Sequence, residues 1–313
     1  MAKQRWVNPP STTVRSPSVQ RRRDQRRCDH FPARALAVRH RESARPVRPV
    51  LADRPVKDQA RGGEGRFGGG PVHIPVSARQ GIVFPPPRMT SAVIVAAGRG
   101  TRMGPDVDKL FLEVAGAPVI AHTWRRFDAC PEIGELILVV RDGMQDAFRE
   151  LAAGLALKKP FRFVPGGAER QDSVWNGLVA LDPAADVVAI QDGARPCTPA
   201  EVITRCLQVA RTTGAAVAAQ RATDTIKESD GGTRIARHLD RSRLWAVQTP
   251  QCFRVDVIRR ALAAVKAAGA QVTDDTAACE LIDQPVELIE SRLPNPKVTA
   301  QPDVPFVELL LRA

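Results

Sequence analysis

The sequence predicts an α/β fold with a mostly parallel sheet over residues 89–313, preceded by a basic N-terminal arm. In the body, short apolar runs alternate with amphipathic segments of helical length, which is typical of a parallel sheet covered by helices on both faces. The charge divides at the same point, since residues 1–88 hold 19 basic and 6 acidic side chains and the other 225 residues hold 27 and 28. The net charge of +12 suggests a nucleic-acid partner, but the body carries no such signal.

The arm, residues 1–88, is predicted to be disordered. It holds 12 of the 26 prolines and 17 arginines, and such a chain buries too little apolar surface to offset its conformational entropy. It has no apolar stretch typical of a signal peptide, and no run of about 18 apolar residues predicts a membrane span anywhere in the sequence. An upstream extension of the reading frame before Met89 is the simplest explanation, with organellar targeting and a polyanion-binding tail as alternatives.

The cysteines predict a reducing environment. None of the six forms a C-x-x-C pair, and none has a histidine at zinc-ligand spacing. We therefore expect unpaired thiols and a cytoplasmic location.

The elements of the body follow from its apolar patterns. Six apolar runs predict strands at 92–96, 135–140, 161–164, 187–191, 215–219 and 244–247. Six amphipathic segments predict helices at 118–127, 144–155, 170–181, 199–211, 255–268 and 274–282. Pro118 and Pro199 fit the first turn of a helix, where no backbone N–H donor is needed. A body of this size can bury a substantial core without disulfides or metal.

One polar segment, at about 224–243, interrupts the alternation. It holds two β-compatible pieces around Asp230, Gly231 and Gly232, which is a turn signal between extended runs. A projecting hairpin here would be too polar to bury alone and would make a natural dimer contact. A long surface loop is the alternative.

A glycine-rich turn follows the first strand in the run S-A-V-I-V-A-A-G-R-G-T-R-M-G. Glycines at the carboxyl end of a parallel strand let backbone N–H groups approach phosphate oxygens. The spacing does not fit a dinucleotide fingerprint, because Met103 stands at the third glycine position, and no Gly-Lys pair forms a Walker A motif. Two cations, Arg102 and Lys109, flank the turn, as expected for stabilising charge on a transferred phosphoryl group.

This turn and six later blocks resemble the sugar-phosphate nucleotidyltransferases, and most closely the 2-C-methyl-D-erythritol 4-phosphate cytidylyltransferase family. The later blocks are G-G-A-E-R-Q-D-S-V from Gly166, D-G-A-R-P from Asp192, D-T-I-K from Asp224, L-D-R-S-R-L-W-A-V-Q-T-P-Q from Leu239, V-T-D-D from Val272 and N-P-K-V-T from Asn295. The resemblance implies a single Rossmann-like nucleotidyltransferase domain over 89–313, with a β-arm for dimerisation. It also implies transfer of CMP from CTP to methylerythritol phosphate in the non-mevalonate isoprenoid pathway.

The resemblance further implies a role for each matching residue. Arg102, Lys109, Arg241 and Lys297 would be catalytic, with the first two stabilising charge at the α-phosphate. The nucleotide would contact Ala96, Ala97, Gly98, Gly100, Gly166, Gly167, Arg170 and Ser173. The acceptor would contact Asp192, Arg195, Thr225, Thr249 and Thr273. Mg²⁺ would be held mainly by the CTP phosphates, with Asp192 as a candidate protein ligand.

The arm that carries Thr225 and Arg241 crosses to the other subunit in this family, which implies a homodimer with a composite active site. Three positions depart from the family pattern: Gln191 replaces a common His, Gly193 a frequent Ala, and Pro296 the usual Ile. Because proline fixes its φ angle, we expect a stiffer loop at Lys297 and a less certain reach for its side chain.

Three other functions are left open by the sequence. A ribitol-5-phosphate cytidylyltransferase would differ mainly in the acceptor pocket. A guanylyl- or uridylyltransferase would differ in the nucleotide that it uses. An RNA-binding or polyanion-binding protein would act through its arm and bind with a steep salt dependence, although the order of the site blocks argues against nucleic acid as the partner.

Overall fold

The computed structural model describes residues 89–98 and 108–313 of the chain. The predictions for the arm at 1–88, and those for Gly100 and Arg102, lie outside the described residues. In the part that is described, none of the helices is long and apolar enough to cross a membrane.

The predicted strands and helices are present. The strands are β1 (Met89–Ala96), β2 (Glu113–Val114), β3 (Ala117–Pro118), β4 (Glu135–Val140), β5 (Phe161–Pro165), β6 (Ala185–Asp192), β7 (Ala215–Arg221), β8 (Lys227–Ser229), β9 (Ile235–His238), β10 (Trp245–Arg254) and β11 (Glu287–Glu290). The helices are α1 (Val119–Asp128), α2 (Gln145–Ala153), α3 (Arg170–Val179), α4 (Ala200–Thr213), α5 (Val255–Ala267), α6 (Asp275–Glu280) and α7 (Asp303–Arg312). Pro118 and Pro199 cap α1 and α4 rather than occupying their first turns.

Seven strands form one sheet in the order β11-β7-β10-β6-β1-β4-β5. Strand β10 is antiparallel to both of its neighbours, and the other neighbouring pairs are parallel. The sheet is therefore mostly parallel, as predicted. Two-sided burial explains the continuous apolar runs, because all six residues of β4 are buried.

Alternate residues of the central strands enter two separate cores. Ile94 and Leu138 pack with α1, α2, α4 and α7 on one face of the sheet, whereas Val93 and Val139 pack with α3, α5 and α6 on the other. This separation follows from the two-residue side-chain period of a strand. The parallel central strands all end at one edge of the sheet, which carries the connections that matter below.

The polar segment at about 224–243 folds as a separate antiparallel hairpin. Strand β8 pairs with β9, and the turn between them contains Gly231 at φ +95°. A short 3₁₀ helix, Arg241–Arg243, leads from β9 back to β10. The residues of both hairpin strands are exposed, so the other described residues of the body do not bury them.

Candidate active site

A cleft of about 310 Å³ opens at the carboxyl edge of the sheet. Its walls come from the ends of β1 and β6, the loop before α3, and two segments near Lys109 and Lys297. A groove of about 420 Å³ between α3 and α5 is larger, but among the described residues of its lining Lys266 alone is cationic. The smaller cleft is the candidate site because Lys109, Arg170 and Lys297 all face it.

Two glycines allow the loop before α3 to lie against the end of β1. A Cβ atom added at Gly166 would lie 2.4 Å from Ala97 Cβ, and one at Gly167 would lie 2.3 Å from Asp172 Cβ. The Gly167 N–H donates to Ser173 Oγ at 3.0 Å. This close approach brings the first turn of α3 to the cleft wall, and the N-terminus of a helix favours anions.

Arg170 is held by a fully buried carboxylate. Its Nη2 donates to Asp275 Oδ2 at 2.8 Å, and its Nε lies 3.5 Å from Asp192 Oδ1. Burial would lower the pKa of Arg170, but the charges and hydrogen bonds of Asp275 and Asp192 together outweigh it and the pKa is raised. For Asp275 burial is the largest influence and raises its pKa, despite the opposing charge of Arg170. The guanidinium is thus fixed between two carboxylates and stays charged.

Asp192, the last residue of β6, is surrounded by cations. Lys297 Nζ lies 2.7 Å from its Oδ2, and Arg195 Nε lies 3.7 Å from the same oxygen. Burial alone would raise the pKa of Asp192, but the charges of Lys297 and Arg170 outweigh it and the pKa is lowered. The carboxylate therefore remains ionised and holds three cations at one side of the cleft.

The segment at 295–298 contacts two of the charged groups at the cleft. Lys297 Nζ donates to Asp192 Oδ2, so its side chain reaches the cleft although Pro296 precedes it. Lys109 Nζ donates to the carbonyl oxygen of Val298 at 3.3 Å. Two lysines predicted to be catalytic thus meet at one short segment that borders the cleft.

Comparison with known proteins shows the family of the chain. Residues 90–313 match the family model described as 2-C-methyl-D-erythritol 4-phosphate cytidylyltransferase. The chain belongs to this family. It is 38% identical over 224 residues to the protein of that name from Pelotomaculum thermopropionicum, covering 71% of this chain and 94% of the relative. The relative of the same name from Bacillus velezensis is 40% identical over 222 residues, covering 71% and 95%.

A solved structure has the same fold. The 4-diphosphocytidyl-2C-methyl-D-erythritol synthase from Anaerococcus prevotii superposes with a TM-score of 0.65 at 30% identity, covering 72% of this chain and 97% of that chain. The family assignment therefore rests on sequence and on structure. Within the family pattern, the cleft brings together most of the residues that the sequence assigned to the nucleotide.

The predicted site residues differ in how close they lie to the cleft. Those that line the cleft are Ala97, Gly98, Lys109, Gly167, Arg170, Ser173, Asp192 and Lys297. Ala96 ends β1 beside them with its side chain buried. Gly166 follows β5 and packs against Ala97 and Ser173, two residues of the cleft lining. Arg195 is held nearby, and burial lowers its pKa against the opposing charge of Asp192.

The remaining residues assigned to the acceptor by the family pattern lie at different distances from the cleft. Thr249, which is buried, accepts a hydrogen bond at Oγ1 from the Asp192 N–H at 3.1 Å. Thr273 is exposed and precedes α6, two residues before Asp275. Thr225 and Arg241 are exposed beside the hairpin and do not line the described cleft. A single chain therefore brings together only part of the predicted acceptor site.

The other two departures from the family pattern are accommodated locally. Gln191 is buried, and its amide donates to Thr198 Oγ1 at 3.0 Å within the turn after β6. A Cβ atom at Gly193 would lie 2.8 Å from Ile120 Cδ1 and 3.1 Å from the carbonyl oxygen of Val95. Glycine thus relieves a tight approach between this turn and α1.

Sequence reasoning missed three supporting residues. Asp275 was quoted within V-T-D-D without a role, yet it is the fully buried partner of Arg170. Gln251 accepts from the Asp275 N–H at 2.9 Å and donates to Asp274 at 2.9 Å. Asn295 opens N-P-K-V-T and is almost fully buried. Two signals for these residues were available in the sequence. Asp274 and Asp275 are adjacent carboxylates, and Asn295 lies two residues before Lys297.

Proposed function

We propose that this chain transfers CMP from CTP to 2-C-methyl-D-erythritol 4-phosphate, giving 4-diphosphocytidyl-2-C-methyl-D-erythritol and pyrophosphate. The supporting observation is the cleft of about 310 Å³ that Lys109 and Lys297 both line, together with the glycine loop and the first turn of α3. Phosphoryl chemistry depends chiefly on position and fixed charge, and this site supplies both. The family assignment supports the same substrates.

In the proposed reaction an oxygen of the acceptor 4-phosphate attacks the α-phosphorus of CTP. The new P–O bond forms as the bond to the β-phosphate oxygen breaks, and pyrophosphate leaves with that electron pair. Lys109 stabilises charge on the α-phosphate and Lys297 holds the attacking phosphate in line. Asp192 keeps the cations on the acceptor side oriented until the acceptor phosphate competes for them.

Arg170, the glycine loop at 166–167 and Ser173 hold the nucleotide in this proposal. The loop approaches closely enough for backbone groups to contact a pyrimidine edge and ribose, because no Cβ atoms intervene. Gly100 and Arg102 complete this side of the site by the family pattern. Both lie outside the described residues, so their roles stay predictions.

Mg²⁺ fits the donor set only as an ion held chiefly by substrate. Among the residues described, no group of three or more His, Cys, Asp or Glu side chains could hold a metal. Asp192 and Glu169 are the two carboxylates among the described lining residues of the cleft, and so few protein ligands suit an ion that keeps several waters and binds substrate phosphates. When bound, the ion would neutralise charge on the triphosphate and its leaving group.

We further propose a homodimer in which each hairpin completes the partner's site. Two cleft-assigned residues, Thr225 and Arg241, lie beside the exposed hairpin rather than at the cleft of their own chain. Arg241 donates to the carbonyl oxygen of Thr223, which orders the base of the hairpin. A second copy would place these residues against an acceptor without rearranging the sheet.

The cytoplasm is our proposed location for the reaction. The five cysteines in the described residues are buried and free of disulfides, as expected for a chain kept in a reducing compartment. None of these five cysteines is among the described residues that line the cleft.

The decisive test is a pyrophosphate-release assay on the purified chain. We expect release with CTP and methylerythritol phosphate together, and little with UTP or GTP or without an acceptor. Faster turnover with ribitol 5-phosphate would replace the proposed acceptor. Salt-sensitive RNA binding without cytidylyl transfer, lost when residues 1–88 are removed, would replace the enzyme by a polyanion-binding protein.

A further inference from the structure

A closed ring of polar contacts runs through the acceptor side of the cleft. The Asp192 N–H donates to Thr249 Oγ1 at 3.1 Å, and the Thr249 carbonyl oxygen accepts from Asn295 Nδ2 at 2.9 Å. The Asn295 carbonyl oxygen accepts from Arg195 Nη1 at 2.7 Å, and Arg195 Nε returns to Asp192 at 3.7 Å. Three predicted acceptor residues are therefore joined through one asparagine.

Asn295 is suited to this position because it is buried and because its amide carries both a hydrogen-bond donor and an acceptor. Its side chain is almost fully buried, with 1% of the residue exposed, so its amide has no solvent to replace a lost partner. The Nδ2 group donates to the Thr249 carbonyl oxygen, while Oδ1 accepts from Thr198 Oγ1 at 3.1 Å. Among side chains of this size, only an asparagine amide offers both a donor and an acceptor in these directions.

Three chain segments meet at this amide. Thr198 ends the turn after β6, Thr249 lies in β10, and Asn295 begins the segment that carries Lys297. These segments are far apart in sequence, and the cleft geometry depends on their relative placement. The neighbouring Val298 N–H also donates to the Ala194 carbonyl oxygen at 2.8 Å, which fixes the far end of the same segment.

We propose that Asn295 is a positioning residue that sets Arg195, Thr249 and Lys297 in register for the acceptor phosphate. The inference rests on the proposed function, because it assigns these groups to the acceptor. It acts through backbone and side-chain contacts and requires no contact between Asn295 and substrate. The nucleotide side, built from Arg170 and the glycine loop, has its own support in Asp275.

Asn295→Asp is the sharpest variant, because it keeps the shape and the acceptor for Thr198 but replaces the donor to Thr249 by an oxygen. In the full-length enzyme we expect the KM for methylerythritol phosphate to rise about tenfold, which corresponds to about 1.4 kcal/mol. The KM for CTP should stay within about twofold, since the lost hydrogen bond is on the acceptor side. Steady-state kinetics with each substrate varied in turn measures this split.

Ser91→Ala is the matched control, because it also removes a buried hydrogen bond, to Glu135 at 2.7 Å, but at the opposite end of β1. It should lower the unfolding midpoint without changing the ratio of the two KM values. If Asn295→Asp does not fold, Thr198→Val tests the same amide through its other partner, and Thr198→Ser should restore the wild-type ratio.

The outcomes separate the two proposals. Equal increases in both KM values, or a lower unfolding midpoint with an unchanged KM ratio, would overturn the positioning role alone. A wild-type chain that forms no cytidylylated methylerythritol would overturn the proposed function, and the positioning role with it. A selective rise in the acceptor KM would support both.

Discussion

The cleft and the hairpin of this protein are built in opposite ways. In the cleft, charged groups are buried and paired, with Asp275 fully buried against Arg170 and Asp192 only 8% exposed. In the hairpin, both strands are exposed, and Ile235 keeps 68% of its surface accessible. Residues 89–98 and 108–313 thus pair the charged groups of the cleft with one another, but they leave the strands of the hairpin uncovered.

This contrast separates two kinds of functional surface. A buried ion network is costly to assemble and is retained only when its geometry is good, so the cleft residues cannot move independently. An exposed two-stranded hairpin requires no burial of charged groups, but its conformation is only marginally stable until another surface packs against it. The contrast predicts that variants in the cleft act within one subunit, while variants in the hairpin act across a dimer.

Lys109→Ala should give the largest effect. Removing a fixed cation from a developing phosphoryl charge typically lowers kcat about 10²–10³-fold, and the variant should fold normally because Lys109 lies at the cleft rim. Arg102→Ala should behave alike if the family pattern holds. The measurement is kcat/KM by pyrophosphate release, with the exposed Lys158→Ala as control. Near-normal kcat/KM for Lys109→Ala would contradict the assignment of this cleft as the active site.

Arg241→Ala should give an intermediate effect that depends on the partner subunit. Loss of a charged hydrogen bond to the acceptor phosphate should lower kcat/KM about 30-fold, or about 2 kcal/mol. Arg237→Ala, in the same hairpin and paired with Glu228, is the matched control and should be nearly neutral.

Mixing inactive Lys109→Ala with Arg241→Ala subunits tests the dimer directly. Random reassociation makes half of the dimers mixed, and each mixed dimer holds one intact composite site, so about a quarter of wild-type activity should return. If each hairpin serves its own subunit, no activity above that of the separate variants will appear.

The smallest effects concern stability at acidic pH. The pKa of Asp192 is lowered in the folded chain, so its stabilising contribution is present above about pH 4 and is lost as pH falls through the folded pKa. Asp192→Asn should therefore flatten the loss of unfolding free energy below about pH 4. The pKa of Asp240, near the hairpin, is also lowered, by hydrogen bonds from Ser242, but solvent screens this exposed group.

Asp240→Asn should consequently leave the loss of unfolding free energy at acidic pH almost unchanged.

Asp275→Asn should change the pH dependence of the unfolding free energy in the opposite direction to Asp192→Asn, because the pKa of Asp275 is raised by burial. Its stabilising contribution is present below about pH 4 and falls as pH rises through the folded pKa, so the variant should gain stability more steeply with pH. Urea unfolding between pH 3 and pH 7 measures all three slopes.

Sequence patterns predicted the fold well where burial is two-sided. The range of β4 was predicted as observed because all six residues are buried and the five after Glu135 are apolar. Strand β11 was missed because only Ile289 of its four residues is buried, at the sheet edge. The C-terminal helix α7 was missed too, since Val307 is its only buried residue.

The candidate site was predictable to the extent that motifs follow strand ends. Lys109, Arg170, Asp192 and Lys297 follow or adjoin parallel strands, and such strands end at one edge, so their convergence was expected. The partner of Arg170 was not predictable from pattern alone, because Asp275 lies 105 residues away. The same holds for the amide of Asn295, whose partners lie in two other segments.

The hairpin arises at the connection between β7 and β10, which are neighbours in the sheet and pair up to Arg221 and Trp245. The entropy of closing such a loop grows only slowly with its length. Insertions, deletions or exchanges in the hairpin should therefore preserve the pairing of the sheet while changing the contact between the proposed subunits. In the proposed dimer, subunit recognition would be a module that can diverge, or be re-engineered, separately from the fold that carries it.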